Sequence, residues 1–179
     1  DIWQKALSVK AQLPDLKLVQ VSPPDASVPD GVSSFAAGLA AQSGETLSFG
    51  RARRDDDVAA YFHTGGTTGL PKLVIHTHCN QIAAAFGGTI LQGLSETDAL
   101  TNGLPMFHVA ATISCSLSFF IAGANVIVLS PGGMRNPLVI RNYWRIVERD
   151  GATIIGGVPT ALAALLNVPV EDSLASVRY

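Results

Sequence analysis

Charge is scarce in this chain. Asp, Glu, Lys and Arg make up 15% of its 179 residues, and the net charge is −2. With a pI near 6.1 and scattered Lys and Arg, there is no basic footprint for nucleic acid. The one basic cluster, Arg51, Arg53 and Arg54, is followed at once by Asp55, Asp56 and Asp57. That run reads as a solvated, self-neutralising loop. Cysteine is scarcer still. Cys79 and Cys115 have no CxxC partner and no metal-ligand spacing, which excludes a zinc module. Reduced, buried thiols of a cytoplasmic protein are the expected state, with a disulfide between the two as the alternative. The opening DIWQKALSVK has no long apolar run and no small-residue cleavage site, so it does not read as a signal peptide. No internal repeat of fixed period is present.

Hydrophobic residues make up 47% of the chain, which excludes a disordered polar chain and is enough for one domain with a core. Val109–Met134 carries no charged residue and could span a bilayer on length alone. Thr112, Ser114, Ser116, Ser118 and Asn125 interrupt it, and Gly123 divides a helix-like half from a β-rich half. A buried helix followed by a buried strand is the better reading.

The pattern opens with a short helix over 2–13 and a strand over Leu16–Val21. A Pro/Ser/Asp/Gly-rich excursion follows to Asp57, with a small helix expected within Val32–Ala41. Strands are expected at Val58–His63, Lys72–His76, Ala99–Leu104, Asn125–Leu129 and Thr153–Ile155. Helices are expected from the Thr77 N-cap to about Gln92 and over Phe107–Ala122. A third runs from the Asn136 cap and Pro137 to Asp150, stopped by Gly151, and a fourth starts at Val158. Alternating strands and helices predict an α/β fold, a parallel sheet with helices on both faces. The expected division is 1–57 as a lead-in and 58–179 as the αβ subdomain. The small residues Ala83–Ala85, Gly87 and Gly88 read as close helix–sheet packing.

Between the first two strands of the regular region lies Thr64–Lys72, TGGTTGLPK, with three glycines, three threonines and one lysine. Glycines let backbone N–H groups converge on an anion. Thr64, Thr67 and Thr68 add hydroxyls, Lys72 adds a mobile cation, and Pro71 stiffens the exit. The set suits a triphosphate tail bound at the carboxyl end of a strand. Composition alone leaves an ordinary Gly/Thr turn as an equal alternative. The loop is not a Walker A sequence, which needs glycine at Pro71, nor a dinucleotide GxGxxG.

This run resembles the [ST]-[SG]-G-[ST]-[ST]-G-x-P-K signature of the adenylate-forming superfamily: acyl- and aryl-CoA synthetases, luciferase and the adenylation domains of peptide synthetases. Further matches follow in order. They are Thr77-His78-Cys79-Asn80 for TH-x-N, Leu104–His108 for LPxFH, Gly123–Val126 for the turn into the next strand, Gly157–Thr160 for GVPT, and Leu174–Tyr179. The similarity spans Val58 to Tyr179. It departs at Gly65, where a serine is usual, and at Leu73, where a glycine is usual.

The resemblance implies an ATP-dependent ligase for a small-molecule carboxylic acid. The carboxylate attacks the α-phosphate of ATP, releasing pyrophosphate, and the thiol of coenzyme A then displaces AMP. It implies nucleotide binding by Thr64, Gly65, Gly66, Thr67, Thr68, Gly69 and Lys72, with Thr67 helping to place Mg²⁺. Lys72 is expected to act on the leaving pyrophosphate, and His108 to border the acyl carboxylate and the thiol path. Read without the resemblance, His108 is a histidine satisfied at a helix start, and His63, His76 and His78 require no metal. The family's large domain is longer than this chain, so the chain is expected to be a piece of it that carries the phosphate loop without completing catalysis alone. An amino-acid adenylation domain and a non-catalytic nucleotide-binding module are the competing readings. The TH-x-N and LPMFH segments lean towards CoA ligases.

Overall fold

The computed structural model describes residues 2–46, 53–65 and 72–179. The chain forms two compact units, 1–52 and 53–179. In the first, helix α1 (Ile2–Gln12) precedes strand β1 (Leu18–Gln20), which pairs in parallel with β2 (Val32–Ser34). Helix α2 (Phe35–Ala40) follows directly, because Ser34 caps it through an Ala37 N–H to Ser34 Oγ bond of 3.2 Å. The expected small helix therefore starts three residues late, its first residues being taken into the strand pair. None of the described residues of this unit is buried.

The second unit opens with β3 (Val58–His63) and β4 (Leu73–Thr77), which form an antiparallel hairpin separate from the main sheet. Here the structure departs from expectation. The two strands are joined tip to tip by the Gly/Thr loop, so the loop does not hang from the carboxyl end of a parallel strand. The burial pattern says why. Tyr61, Leu73 and Ile75 are exposed, and β3 has no face buried on both sides as a parallel strand would.

Helix α3 (His78–Leu91) starts at a capping box. Asn80 N–H donates to Thr77 Oγ1 and Thr77 N–H to Asn80 Oδ1, both at 3.2 Å. The parallel sheet has the order β6-β5-β7, from β5 (Ala99–Asn102), β6 (Asn125–Val128) and β7 (Ile154–Ile155). Arg178 N–H and Tyr179 C=O continue the bonding along the free edge of β7, to Thr153 O at 2.7 Å and from Ile155 N–H at 3.0 Å.

Helices cover both faces of this sheet. On one side Leu100 and Ile154 pack with Phe119 and Ala124. The charge-free segment supplies that layer as a π-helical stretch, Ala110–Leu117, running into α4 (Ser118–Ile121). It begins after the turn in which His108 N–H meets Pro105 O at 2.9 Å, later than the expected start at Phe107. On the other side lie α5 (Pro137–Arg141), α6 (Tyr143–Asp150) and α7 (Pro159–Leu165), with Val139, Tyr143, Val147 and Leu165 as core. Burying Tyr143 and Phe119 contributes roughly 1.5–3 kcal/mol each. The one long helix expected from Asn136 to Asp150 is two, broken at Asn142 (φ −106°, ψ 14°). Asn136 caps the first, and Gly151 at φ 61° ends the second. No described helix is long and apolar enough to cross a membrane.

Of the small residues on α3, Gly88 meets a helix rather than the sheet, whereas Ala83 and Ala84 are exposed and a Gly87 side chain would meet open space. Thr89 Oγ1 donates to Ser118 O at 2.7 Å, and a Cβ on Gly88 would stand 2.6 Å from Ser118 Oγ. Cys79 is exposed in the first turn of α3 and Cys115 half-buried, both as free thiols. The expectation of two buried thiols thus fails at Cys79, because its side of the helix faces outward. Arg54 pairs with Asp56 at 3.0 Å, both exposed, as the self-neutralising reading expects.

Candidate functional site

The described part of the phosphate loop is its neck. Thr64 N–H donates to Lys72 O at 2.8 Å, and Lys72 N–H donates to Thr64 Oγ1 at 3.2 Å. These bonds continue the hairpin one step past the His63–Leu73 pair. The chain ends of the loop are thus fixed, with the Lys72 side chain exposed and open space where a Gly65 side chain would go. The Thr64 oxygen accepts from Lys72, which leaves its own proton free to donate. Gly66, Thr67, Thr68 and Gly69 lie outside the described residues. Leu73, at the position where a glycine is usual, is the first residue of β4 and is exposed.

The LPMFH segment leaves the carboxyl end of β5. His108 is exposed at the head of the π-helical stretch. Its carbonyl accepts from Ala111 N–H at 3.0 Å and Thr112 N–H at 3.2 Å, and its Nδ1 accepts Ala110 N–H at 3.1 Å. With Nδ1 accepting, the neutral ring carries its proton on Nε2. The imidazole is therefore anchored by one nitrogen and presents the other as a donor. This is the helix-start role expected without any ligand, and it leaves a free donor besides.

These two segments, far apart along the chain, meet in space. The His63 ring, next to Thr64, lies 6.1 Å from the Phe107 ring, next to His108. His76 instead meets the Phe62 ring at 4.9 Å in a tilted arrangement. Among the described residues no group of His, Cys, Asp or Glu could hold a metal ion.

Sequence reasoning missed the clefts beside this meeting point. Leu104 and Pro105 form a wall between two of them. One, of about 360 Å³, opens between the ends of β5 and β7 and is lined by Met134, Val158 and Ala161, with Arg135 and Thr160 as its polar groups. The other, of about 350 Å³, is bounded by Met106, Phe107, Val128 and Pro131. Both sit at the carboxyl edge of the parallel sheet. The first lies where the chain reverses direction across the sheet, the usual place for a ligand in open α/β folds. The motif at Leu104–His108 pointed there, but the partner walls come from segments far along the chain.

The sequence profile of the AMP-binding enzyme family matches residues 3–179. The chain belongs to the AMP-binding enzyme family. Among curated relatives, the marinolic acid–CoA ligase of Pseudoalteromonas sp. (strain SANK 73390) is 36% identical over 178 residues, covering 96% of this chain and 26% of the relative. Among solved structures, the anthranilate CoA ligase AuaEII in complex with anthranoyl-AMP superposes with a TM-score of 0.77 at 27% identity, over 96% of this chain and 32% of that one. ATP-bound MatB from Rhodopseudomonas palustris gives 0.65 at 28% identity, over 79% and 26%. The chain therefore spans about a quarter of the length of the curated relative it matches (26%). The family places this αβ unit within the adenylate-forming fold, as the ordered motifs implied.

Proposed function

We propose that this AMP-binding chain is the pyrophosphate-binding part of an ATP-dependent acid–CoA ligase. The observation that carries the reading is the meeting of the loop neck with the His108 segment through His63 and Phe107. We read that contact as bringing the neck of the polyphosphate loop near a hydrogen-bond donor at the carboxyl edge of the sheet. The carboxylic acid attacks the α-phosphorus of ATP, the bond to pyrophosphate breaks, and an acyl-adenylate forms. The thiol of coenzyme A then attacks the acyl carbon and AMP leaves.

The residues here manage charge in the first of these steps. Backbone N–H groups of the loop, the hydroxyls of Thr64, Thr67 and Thr68, and the Lys72 ammonium receive the charge that builds on the leaving pyrophosphate. The His108 Nε2–H is a donor for an acyl or carboxylate oxygen. Thr67 would be the residue offered to Mg²⁺, which when bound would supply charge neutralisation on the phosphates. The cleft walled by Leu104 and Pro105, apolar with Arg135 exposed at its side, fits an apolar body ending in an anion. The free thiols fit a reducing, cytoplasmic setting.

The test is carboxylate-dependent exchange of labelled pyrophosphate into ATP by the intact gene product over a panel of acids. Lys72→Ala and Thr67→Ala are expected to slow exchange by about 10²-fold each. Wild-type rates in both variants would refute the role.

A further inference from the structure

Asn102 is the last residue of β5 and is 2% exposed. A primary amide is costly there unless its groups are used. They are. Nδ2 donates to Ala111 O at 3.1 Å and to Ser116 Oγ at 3.2 Å. Oδ1 accepts Leu104 N–H at 3.2 Å. Ser116 Oγ donates in turn to Ala111 O at 2.7 Å, closing a triangle. One side chain thus ties together the strand end, the loop that leads to His108, and the helix that follows it.

The helix is the unusual member. Residues Ala110–Leu117 take the wide π-helical winding, which is rare and clusters at functional sites. Ser116 reaches back five residues to Ala111 O, and Ser118 does the same to Ile113 O at 3.3 Å. Asn102 adds the contact that comes from the sheet. Ala111 is also the residue whose N–H holds the His108 carbonyl at 3.0 Å. The path from Asn102 to His108 therefore runs through Ala111 to the His108 carbonyl, next to the Ala110 N–H that holds the ring Nδ1, and through Leu104 on the loop side.

We infer that Asn102 is a positioning residue for His108: by fixing Ala111, Ser116 and Leu104 it sets the winding of the helix start and hence the direction in which the His108 Nε2–H is presented. The inference rests on the proposed role of His108 as a donor to the acyl group. Asn102 touches no substrate and acts only through these neighbours.

The test has two independent arms. In the first, long-range proton–nitrogen NMR of the histidine-labelled intact gene product reads the His108 ring. The wild type is expected to show the single Nε2–H tautomer, and Asn102→Ala to show a tautomer mixture. An unchanged pattern in Asn102→Ala overturns the inference, whatever the activity. In the second, pyrophosphate exchange by the intact gene product is measured for Asn102→Ala, His108→Ala and the double variant. Asn102→Ala is expected to lower the rate about 10- to 100-fold with the KM for ATP held within twofold. The double variant should be no slower than His108→Ala. Losses that multiply instead would show that Asn102 acts independently of His108 and overturn the inference. An inactive wild type would refute the ligase reading and with it the purpose assigned to the positioning, while the NMR arm would still report whether Asn102 sets the ring. Should Asn102→Ala not fold, Ser116→Ala carries both arms, because it removes one side of the triangle and leaves the amide bonded to Leu104 and Ala111.

Discussion

Replace Asp98 by Asn, and one of its two oxygens becomes a donor among neighbours that all donate to it. Asp98 precedes β5 and is 2% exposed. Its Oδ1 accepts Thr153 Oγ1 at 2.8 Å and Arg178 Nε at 2.9 Å. Its Oδ2 accepts Ser95 N–H at 2.8 Å, Ser95 Oγ at 3.1 Å and an Arg178 NH2 at 2.9 Å. An amide NH2 placed at Oδ2 would oppose a fixed backbone N–H and the guanidinium. Placed at Oδ1 it opposes Arg178 Nε, while the Thr153 hydroxyl can rotate to accept. The second orientation is the cheaper. It loses one charged hydrogen bond outright, worth about 1.5–3 kcal/mol, and weakens the others. The guanidinium is 43% exposed and recovers water, which keeps the cost below that of breaking a fully buried pair, about 3–5 kcal/mol. The expected loss is about 3 kcal/mol, or about 6–12 °C in Tm for a chain of this size. Urea and thermal unfolding followed by circular dichroism measure it. A loss under about 1 kcal/mol would refute the reasoning.

The same carboxylate sets a pH signature. Burial pushes its pKa up, but the Ser95 N–H, the Thr153 and Ser95 hydroxyls and the Arg178 charge outweigh that and hold it below the ordinary carboxylate value. A group whose folded pKa is depressed stabilises fully above its unfolded pKa, about 3.9. That stabilisation drains away as pH falls through the folded value. The gap in stability between wild type and Asp98→Asn should therefore narrow below about pH 4. A gap that is constant down to the acid limit would contradict the assignment.

Gly133 and Gly151 both have positive φ, 54° and 61°, yet Ala should cost different amounts. At Gly151 the added Cβ meets open space, so only the left-handed backbone is strained, at about 1–2 kcal/mol. At Gly133 the Cβ would run into the Gly103 carbonyl oxygen, so about 3 kcal/mol or more is expected. Equal losses in urea titrations would rule out the backbone contact. Tyr143→Phe removes the buried 2.7 Å bond to Thr101 Oγ1 and should lower unfolding free energy by about 1–1.5 kcal/mol. No loss would mean that the hydroxyl pair adds nothing. A thiol reagent should modify exposed Cys79 well before Cys115. Burial pushes the Cys115 thiol pKa up and lowers its thiolate fraction. Mass spectrometry showing Cys115 first would reverse that reading.

The sequence by itself determined what depends on neighbours along the chain. Thr77 with Asn80 and Asn136 with Pro137 marked helix starts, and Gly151 marked a stop, because caps use residues one turn apart. The ordered motifs carried the family, since each is a short local pattern. What the chain could not show locally was which strand pairs with which. Val58–His63 and Lys72–His76 read as members of the parallel sheet, and only the antiparallel pairing of β3 with β4 shows that the phosphate loop joins the two strands of a hairpin. The break at Asn142 and the π-helical winding after His108 likewise depend on contacts made after folding. Asn102 illustrates the limit. In the sequence it is one polar residue at the end of an apolar run, and its partners, at Leu104, Met106, Ala111 and Ser116, become visible only once the helix lies across the strand end. Local chemistry chose the elements and the family, while long-range burial decided pairing and register, because burial rewards contacts that no short window contains.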